Sequence, residues 1–237
     1  MKRLNALLDF CFPRFCVGCE KQWAYICAAC KKLLMPHPDR CPFCHRVMPH
    51  GQTCYDCFPY HRHLQWIMVA FVYSTFIKKL ILQLKFGHKY DVASFLAQRL
   101  ALLIQTNPSF RQAFREWTLF VSFVPSHWRR KYFVKWYNQS EILSQHVAKE
   151  LQLSVVQCIR KQKYTVSQTQ CTRKQRLTNL IDAFIIQETK TLPDWATLIV
   201  VDDITTTGST LDEIAITRKK QHPTISIRWV VVWRHGK

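Results

Sequence analysis

The stretch Val200–Leu211, V-V-D-D-I-T-T-T-G-S-T-L, decides the reading of this chain. Residues Leu198 to Val201 form a short, β-branched apolar run of the kind found in a strand buried within a parallel sheet. Two adjacent carboxylates, Asp202 and Asp203, stand at the end of that run, and Thr205, Thr206, Thr207 and Gly208 make a hydroxyl-rich turn behind them. An amphipathic helix is expected to start near Ser209 or Thr210, so backbone N–H groups would converge on an anion at its N-terminus. Gly208 supplies the positive φ or the close backbone approach that such a cradle needs. The two acids suit hydrogen bonds from vicinal hydroxyls or a hydrated magnesium ion. A phosphorylated ribose offers both the anion and the diol.

The elements around this stretch alternate. Residues 66–73, W-I-M-V-A-F-V-Y, read as a strand, and Phe76, Ile77, Leu80, Ile81 and Leu84 recur at helical spacing up to Gly87, a suitable C-terminal cap. A second helix is expected over Val92 to Ile104, ending before Asn107-Pro108. Strands are expected at 118–125 and 154–159, with a helix from Gln139 to Leu151 between them. A helix from Thr210 to Lys220 and a strand over 225–233 close the chain. Strands alternating with helices point to a parallel α/β sheet that binds its ligand at the C-terminal ends of the strands.

Nine of the eleven cysteines lie before residue 58, and eight of them form four C-x-x-C pairs: Cys16/Cys19, Cys27/Cys30, Cys41/Cys44 and Cys54/Cys57. Two thiolates at this spacing can both face one tetrahedral metal, and two such pairs complete a four-sulfur zinc site. Four pairs therefore supply two sites. Sequential pairing closes loops of seven and nine residues and is favoured over interleaving because the loops are shorter. A disulfide framework would need an oxidising compartment. No signal-peptide pattern and no apolar run of about 18 residues is present, so the chain is expected to be cytoplasmic with reduced, metal-bound cysteines. No partner at ligand spacing exists for Cys11, Cys158 or Cys171, and beyond the C-x-x-C pairs no internal repeat is apparent. A boundary is expected near residue 60, dividing a cysteine-rich domain, 1–60, from an α/β domain, 61–237. His61 and His63 read as linker residues rather than ligands, because eight thiolates are already available.

Lys and Arg outnumber Asp and Glu by 34 to 15, a formal charge of +19, which points to a polyanionic partner. Basic and aromatic side chains alternate from Val124 onward. Arg129, Arg130, Lys131 and Lys135 interleave with Trp128, Tyr132, Phe133, Trp136 and Tyr137, a mixture suited to single-stranded nucleic acid or a phosphate-rich ligand. The same residues also suit a half-buried loop whose aromatics pack inward. A second stretch, Arg160 to Phe184, carries basic groups at Arg160, Lys161, Lys163, Arg173, Lys174 and Arg176 and reads as a mobile lid or a solvated loop.

Val200–Leu211 resembles the 5-phosphoribosyl 1-pyrophosphate (PRPP) loop of type I phosphoribosyltransferases, with Thr205 where an apolar residue is usual. The chain as a whole resembles the ComF/GntX (ComFC) family of competence proteins. The matching residues, in order, are Leu7, Leu8, Asp9 and Pro13; Tyr73; Leu84-Lys85-Phe86; Pro125, His127, Trp128, Arg129, Arg130, Asn138 and Gln139; Thr165 and Gln168; and Arg176, Asn179, Leu180, Ala183 and Phe184. Two departures stand out: Lys135-Trp136-Tyr137 replaces the usual R-G-F, and Phe123 replaces the first proline of P-V-P. A point charge there takes the place of a planar guanidinium fork.

The resemblance implies a type I phosphoribosyltransferase-like parallel sheet flanked by helices, preceded by a small zinc-ribbon-like domain. It implies PRPP with magnesium on Asp202, Asp203, Thr206, Thr207, Gly208, Ser209 and Thr210, and pyrophosphate or DNA on Arg129, Arg130, Lys131, Lys135, Arg173 and Arg176. It implies a part in taking up or processing single-stranded DNA during natural transformation. The partners would be a DNA-uptake helicase or an inner-membrane channel protein, met in the cytoplasm or at the membrane periphery. The alternative is an active transferase on an unidentified acceptor; the sequence names no catalytic residue for it.

Overall fold

The computed structural model describes residues 13–22, 24–61, 63–86, 90–116, 118–125, 138–163, 182–187, 192–193, 195–206 and 208–234. Its centre is a four-stranded sheet in the order β1-β6-β5-β2, built from β1 (Ile67–Phe71), β2 (Leu119–Phe123), β5 (Thr197–Thr205) and β6 (Ser226–Arg234). Every pairing is parallel: Val69 faces Val231, Val201 faces Val230, and Val121 faces Ile199. Strand alternation divides the apolar residues between two cores. Met68, Val121, Ile199, Val201, Val230 and Val232 pack on one face, and Ile67, Val69, Leu198, Val200, Trp229 and Val231 on the other. Burial on both faces is why these strands read as near-continuous apolar runs.

Three helices cover the first face: α2 (Thr75–Phe86), α3 (Tyr90–Thr106) and α5 (Gln139–Leu151). All five of the residues at helical spacing in α2, Phe76, Ile77, Leu80, Ile81 and Leu84, are buried there. Between α3 and β2 lies a short helix, α4 (Arg111–Arg115), and in the cysteine-rich segment a single turn, α1 (Ala28–Lys31). The second face carries α6 (Ser209–Gln221) and an antiparallel hairpin of β3 (Ile159–Lys161) and β4 (Phe184–Ile186).

The helix at 139–151 has the bounds its sequence predicts, because Asn138 caps it by accepting the Ser140 N–H at 3.2 Å. The strand expected at 154–159 is displaced. Residues 154–158 touch β2 through one parallel bridge, Val155 to Val121, and regular pairing begins only at Ile159, within the hairpin. An apolar run marks burial, not the partner it will find. The strand ahead of the acids is also longer than expected, continuing through Asp202 and Asp203 to Thr205. Thr205 is buried, as an isostere of the usual apolar residue should be. Gly87 lies outside the described residues.

The cysteine-rich segment packs onto this sheet. Cys16, Ile26 and Cys30 join Phe76 in the first core. Residues 35–37 run antiparallel along β1, the edge strand, with Val72 N–H donating to Met35 O at 3.0 Å and His37 N–H to Ala70 O at 3.1 Å. An edge that would otherwise expose unpaired backbone is thereby covered.

Gly51, at φ 70°, sits against the start of β1, and a Cβ there would overlap the Ile67 carbonyl oxygen. Gly51→Ala should therefore lower stability by about 2–4 kcal/mol, because backbone rather than a side chain would have to move. Chemical denaturation with an unchanged m-value would check it.

Candidate functional site

The acids of Val200–Leu211 lie near the C-terminal end of β5, one of the two central strands, and three elements converge on them. From α5, Ser140 Oγ donates to Asp202 Oδ1 at 2.7 Å, and the Asp203 N–H donates to the same oxygen at 2.9 Å. From the last turn of α2, Lys85 Nζ lies 3.0 Å from Asp203 Oδ2, with side-chain exposures of 24% and 13%. Asp203 Oδ1 accepts the Ile204 N–H at 2.8 Å. Neither Lys85 nor Ser140 was singled out as a site residue. Leu84-Lys85-Phe86 matches the family pattern without a role attached to it, and a lysine at a helix C-terminus ordinarily complements the helix dipole.

Desolvation pushes the Asp202 carboxyl up to about 8, and the neighbouring Asp203 charge adds to it. Magnesium held by both carboxylates is a poor fit. Their Oδ1 atoms already accept hydrogen bonds, and an ammonium lies on the one Oδ2 of Asp203. Hydroxyl donors to the remaining lone pairs suit the pair better.

Beyond the acids, Gly208 adopts φ 76° as the N-cap of α6 and makes no side-chain cap hydrogen bond. Ser209 and Thr210 are the first two residues of that helix, Thr206 precedes the turn, and Thr207 lies outside the described residues. α6 therefore begins directly after Gly208, a short way along the chain from Asp203, and a helix N-terminus is the kind of element that receives an anion.

Among the basic candidates, Arg129, Arg130, Lys131, Lys135, Arg173 and Arg176 lie outside the described residues. The flanks of their segments are described. Asn138 Nδ2 donates to Val124 O at 2.9 Å, so Val124 and Asn138 meet two residues before Ser140, the partner of Asp202. Residues 164–181 leave and rejoin at the β3–β4 hairpin, where Gln162 Nε2 donates to Asp182 O at 2.9 Å. The Asp182 N–H donates to Glu213 of α6 at 2.8 Å.

The eight cysteines form two groups, Cys16/Cys19/Cys27/Cys30 and Cys41/Cys44/Cys54/Cys57, the sulfurs of each within 4.8 Å of one another. Pairing is sequential. The two groups share a backbone plan that the C-x-x-C spacing alone did not reveal. Cys16 N–H donates to Lys21 O and Cys41 N–H to Arg46 O, both at 2.8 Å. Glu20 and His45 take positive φ at 61° and 62°, and Cys27 N–H and Cys54 N–H each approach a first-pair sulfur, Cys16 and Cys41, at 3.4 Å. Four soft sulfurs in a tetrahedral cluster fit zinc. Burial, with the neighbouring sulfurs adding to it, pushes the Cys30 thiol up to about 12, crowding that a bound cation would relieve. Among the unpaired cysteines, Cys158 is buried, while Cys11 and Cys171 lie outside the described residues.

The second group reaches the site. The His61 ring stacks on Phe43 with centroids 3.5 Å apart, and His61 Nδ1 lies 3.9 Å from Asp212 in the first turn of α6. Arg234, buried at the end of β6, donates to the carbonyls of Cys41 and Pro42. His61 is therefore no ligand of either cysteine group but a contact between the second group and the helix behind the hydroxyl-rich turn.

Compared with known proteins, the chain is 28% identical over 210 residues to the DNA utilization protein YhgH of Escherichia coli K12, covering 86% of this chain and 89% of that protein. It is 26% identical over 216 residues to Competence protein F of Haemophilus influenzae, covering 88% of each. The YhgH protein of Salmonella typhimurium is 28% identical over 217 residues, covering 86% and 89%. No protein-family model matches the chain. Among solved structures, an adenine phosphoribosyltransferase from Leishmania donovani is 12% identical, covering 56% of this chain and 67% of its own, at a TM-score of 0.23, too slight a likeness to carry the fold.

Two measurements test this geometry. Metal analysis should find two zinc ions per chain, with Cys16→Ser and Cys41→Ser each losing one. Because Asp202 is raised to about 8, the folded protein keeps a proton that the unfolded chain releases near pH 4. Stability should then fall as pH rises from about 4 to 8, and Asp202→Asn, which keeps the acceptor for Ser140, should flatten that fall and add roughly 1–3 kcal/mol at pH 8.

Proposed function

We propose that this homologue of the DNA utilization and Competence F proteins serves in the uptake or use of single-stranded DNA and holds a ribose phosphate at the C-terminal end of its central strand. The reading rests chiefly on one observation: an internally compensated acid pair on β5, Asp203 buried and Asp202 half-buried, followed by a helix, α6, that starts directly after Gly208. In this reading Asp202 and Asp203 accept the ribose hydroxyls. The phosphate lies against the backbone of Thr206, Thr207, Gly208, Ser209 and Thr210. With PRPP as ligand, magnesium arrives as the counterion of the pyrophosphate and belongs to the substrate.

Arg129, Arg130, Lys131 and Lys135 are the groups this reading gives to a strand or a pyrophosphate; support comes from their basic and aromatic sequence and from Asn138, at the end of that stretch, two residues before Ser140. Arg173 and Arg176 are assigned to the same polyanion on their charge. The charge of +19 supports a polyanionic partner, and the names of the relatives, a DNA utilization protein and a competence protein, point to DNA. Zinc on the eight cysteines is structural: four protein ligands close each site, and no position remains for a substrate. In this reading residues 1–60 are a zinc-bearing domain and residues 61–237 the phosphoribosyltransferase-like domain. The helicase and the inner-membrane channel remain the proposed protein partners, met from the cytoplasmic side. No helix among the described residues is long and apolar enough to cross a membrane.

Titrating magnesium-PRPP into the zinc-loaded chain by calorimetry should give saturable binding that is lost in Asp202→Asn/Asp203→Asn. No heat with a folded wild type would remove the ribose-phosphate site. Pyrophosphate release on adding an acceptor would move the reading to an active transferase. For single-stranded DNA, the slope of log K against log salt should shrink by about 2 when Arg129, Arg130 and Lys131 are neutralised together.

A further inference from the structure

Two carboxylates on successive residues repel each other, and water cannot screen them well where they are partly buried. One cation among the described residues touches the pair. Lys85 reaches Asp203 Oδ2 at 3.0 Å from α2, a helix distant from β5 in sequence, and is itself only 24% exposed. The other contacts are neutral donors: Ser140 Oγ and the Asp203 N–H to Asp202, and the Ile204 N–H to Asp203.

We infer that Lys85 is a positioning residue of the ribose-phosphate site: by occupying Asp203 it pre-neutralises the acid pair, so that a ribose diol binds with no divalent cation on the carboxylates. The inference rests on the ribose-phosphate reading of the same residues. A hexahydrated or octahedral magnesium ion needs oxygen ligands at about 2.1 Å, and at Asp203 Oδ2 it would meet the ammonium at close range. Two like charges that close in a partly desolvated site disfavour each other, so ammonium and metal compete for Asp203. Hydroxyl donors do not compete, since a carboxylate oxygen with one partner still offers a lone pair. Magnesium then matters only where the ligand brings a pyrophosphate. Ribose 5-phosphate, which lacks it, should bind equally well with or without the metal.

The variant Lys85→Met removes the ammonium and keeps an apolar stem of similar length; Lys85→Gln keeps a polar one, and Lys85→Arg keeps the charge. Two readouts on the zinc-loaded full chain decide the matter. In the first, electron paramagnetic resonance follows free manganese(II), a magnesium surrogate. Lys85→Met and Lys85→Gln should bind it roughly tenfold more tightly than wild type or Lys85→Arg, a gain of about 1.4 kcal/mol, and adding Asp203→Asn should abolish the gain. In the second, calorimetry with ribose 5-phosphate should give wild-type affinity unchanged within about twofold between magnesium-free and magnesium-containing buffer. Lys85→Met should bind about tenfold more weakly without magnesium and recover with it, while Lys85→Arg stays near wild type. A lysine that merely supports the fold would not be replaced by an added ion.

Tight manganese binding to the wild-type acids, lost in Asp203→Asn, would overturn the inference, as would Lys85→Met and Lys85→Gln variants that leave both readouts unchanged. If folded wild type binds neither PRPP nor ribose 5-phosphate, the ribose-phosphate reading falls. The manganese series would then still decide whether Lys85 keeps metal off the pair.

Discussion

Burying two adjacent carboxylates at the end of a central strand is the constraint on which the rest of this structure depends. An uncompensated charge there would cost several kcal/mol, and two would be worse because each raises the other. The fold meets this with donors from three separate units. Lys85 comes from the helix after β1, Ser140 from the helix after β2, and the amides of Asp203 and Ile204 from β5 itself. Parallel topology accounts for Ser140, which sits in the first turn of the helix following β2. Lys85 instead arrives from the last turn of α2, so its place depends on how that helix packs across the sheet.

The cysteine modules extend that logic. A helix or strand buries apolar surface to stay folded, but residues 13–60 contribute few large apolar side chains to either core, mainly Ile26. Metal-closed sulfur clusters replace what a hydrophobic core would supply in so short a segment. Their position is not incidental to the site. Residues 35–37 cover the β1 edge, Arg234 grips the backbone of the second module from the end of β6, and Phe43 stacks on the histidine that faces Asp212 of α6. Order in the second module is thereby tied to the helix that follows Gly208.

Much of the architecture was legible because its signals are local. Alternation of apolar strands and amphipathic helices marked the parallel sheet, and the helix expected from Gln139 starts there because Asn138 accepts the Ser140 N–H. The C-x-x-C pairs marked the metal clusters, since ligand spacing is itself a geometric statement. Short elements were missed. The turn at Ala28–Lys31, the helix at Arg111–Arg115 and the strand at Phe184–Ile186 are too brief for a period to show. The run at 154–158 misled because it meets β2 only around Val155, through hydrogen bonds with Val121 alone, and regular pairing waits until Ile159.

The sequence by itself determined the acid pair, the glycine at the turn, the eight thiols and the order of strands and helices, because each is written in residues close together along the chain. Only the tertiary structure decided what compensates the acids. Lys85 and Ser140 lie 118 and 62 residues from the carboxylates they touch, Asp203 and Asp202. Leu84-Lys85-Phe86 belongs to the pattern that carries the family resemblance, yet neither that triplet nor the first-turn Ser140 carries a local sign of the carboxylate it meets. The same holds for Arg234 on Cys41 and for His61 on Asp212. Contacts of that kind follow from which strand lies beside which, and strand order is set by the packing of the whole sheet rather than by any local pattern.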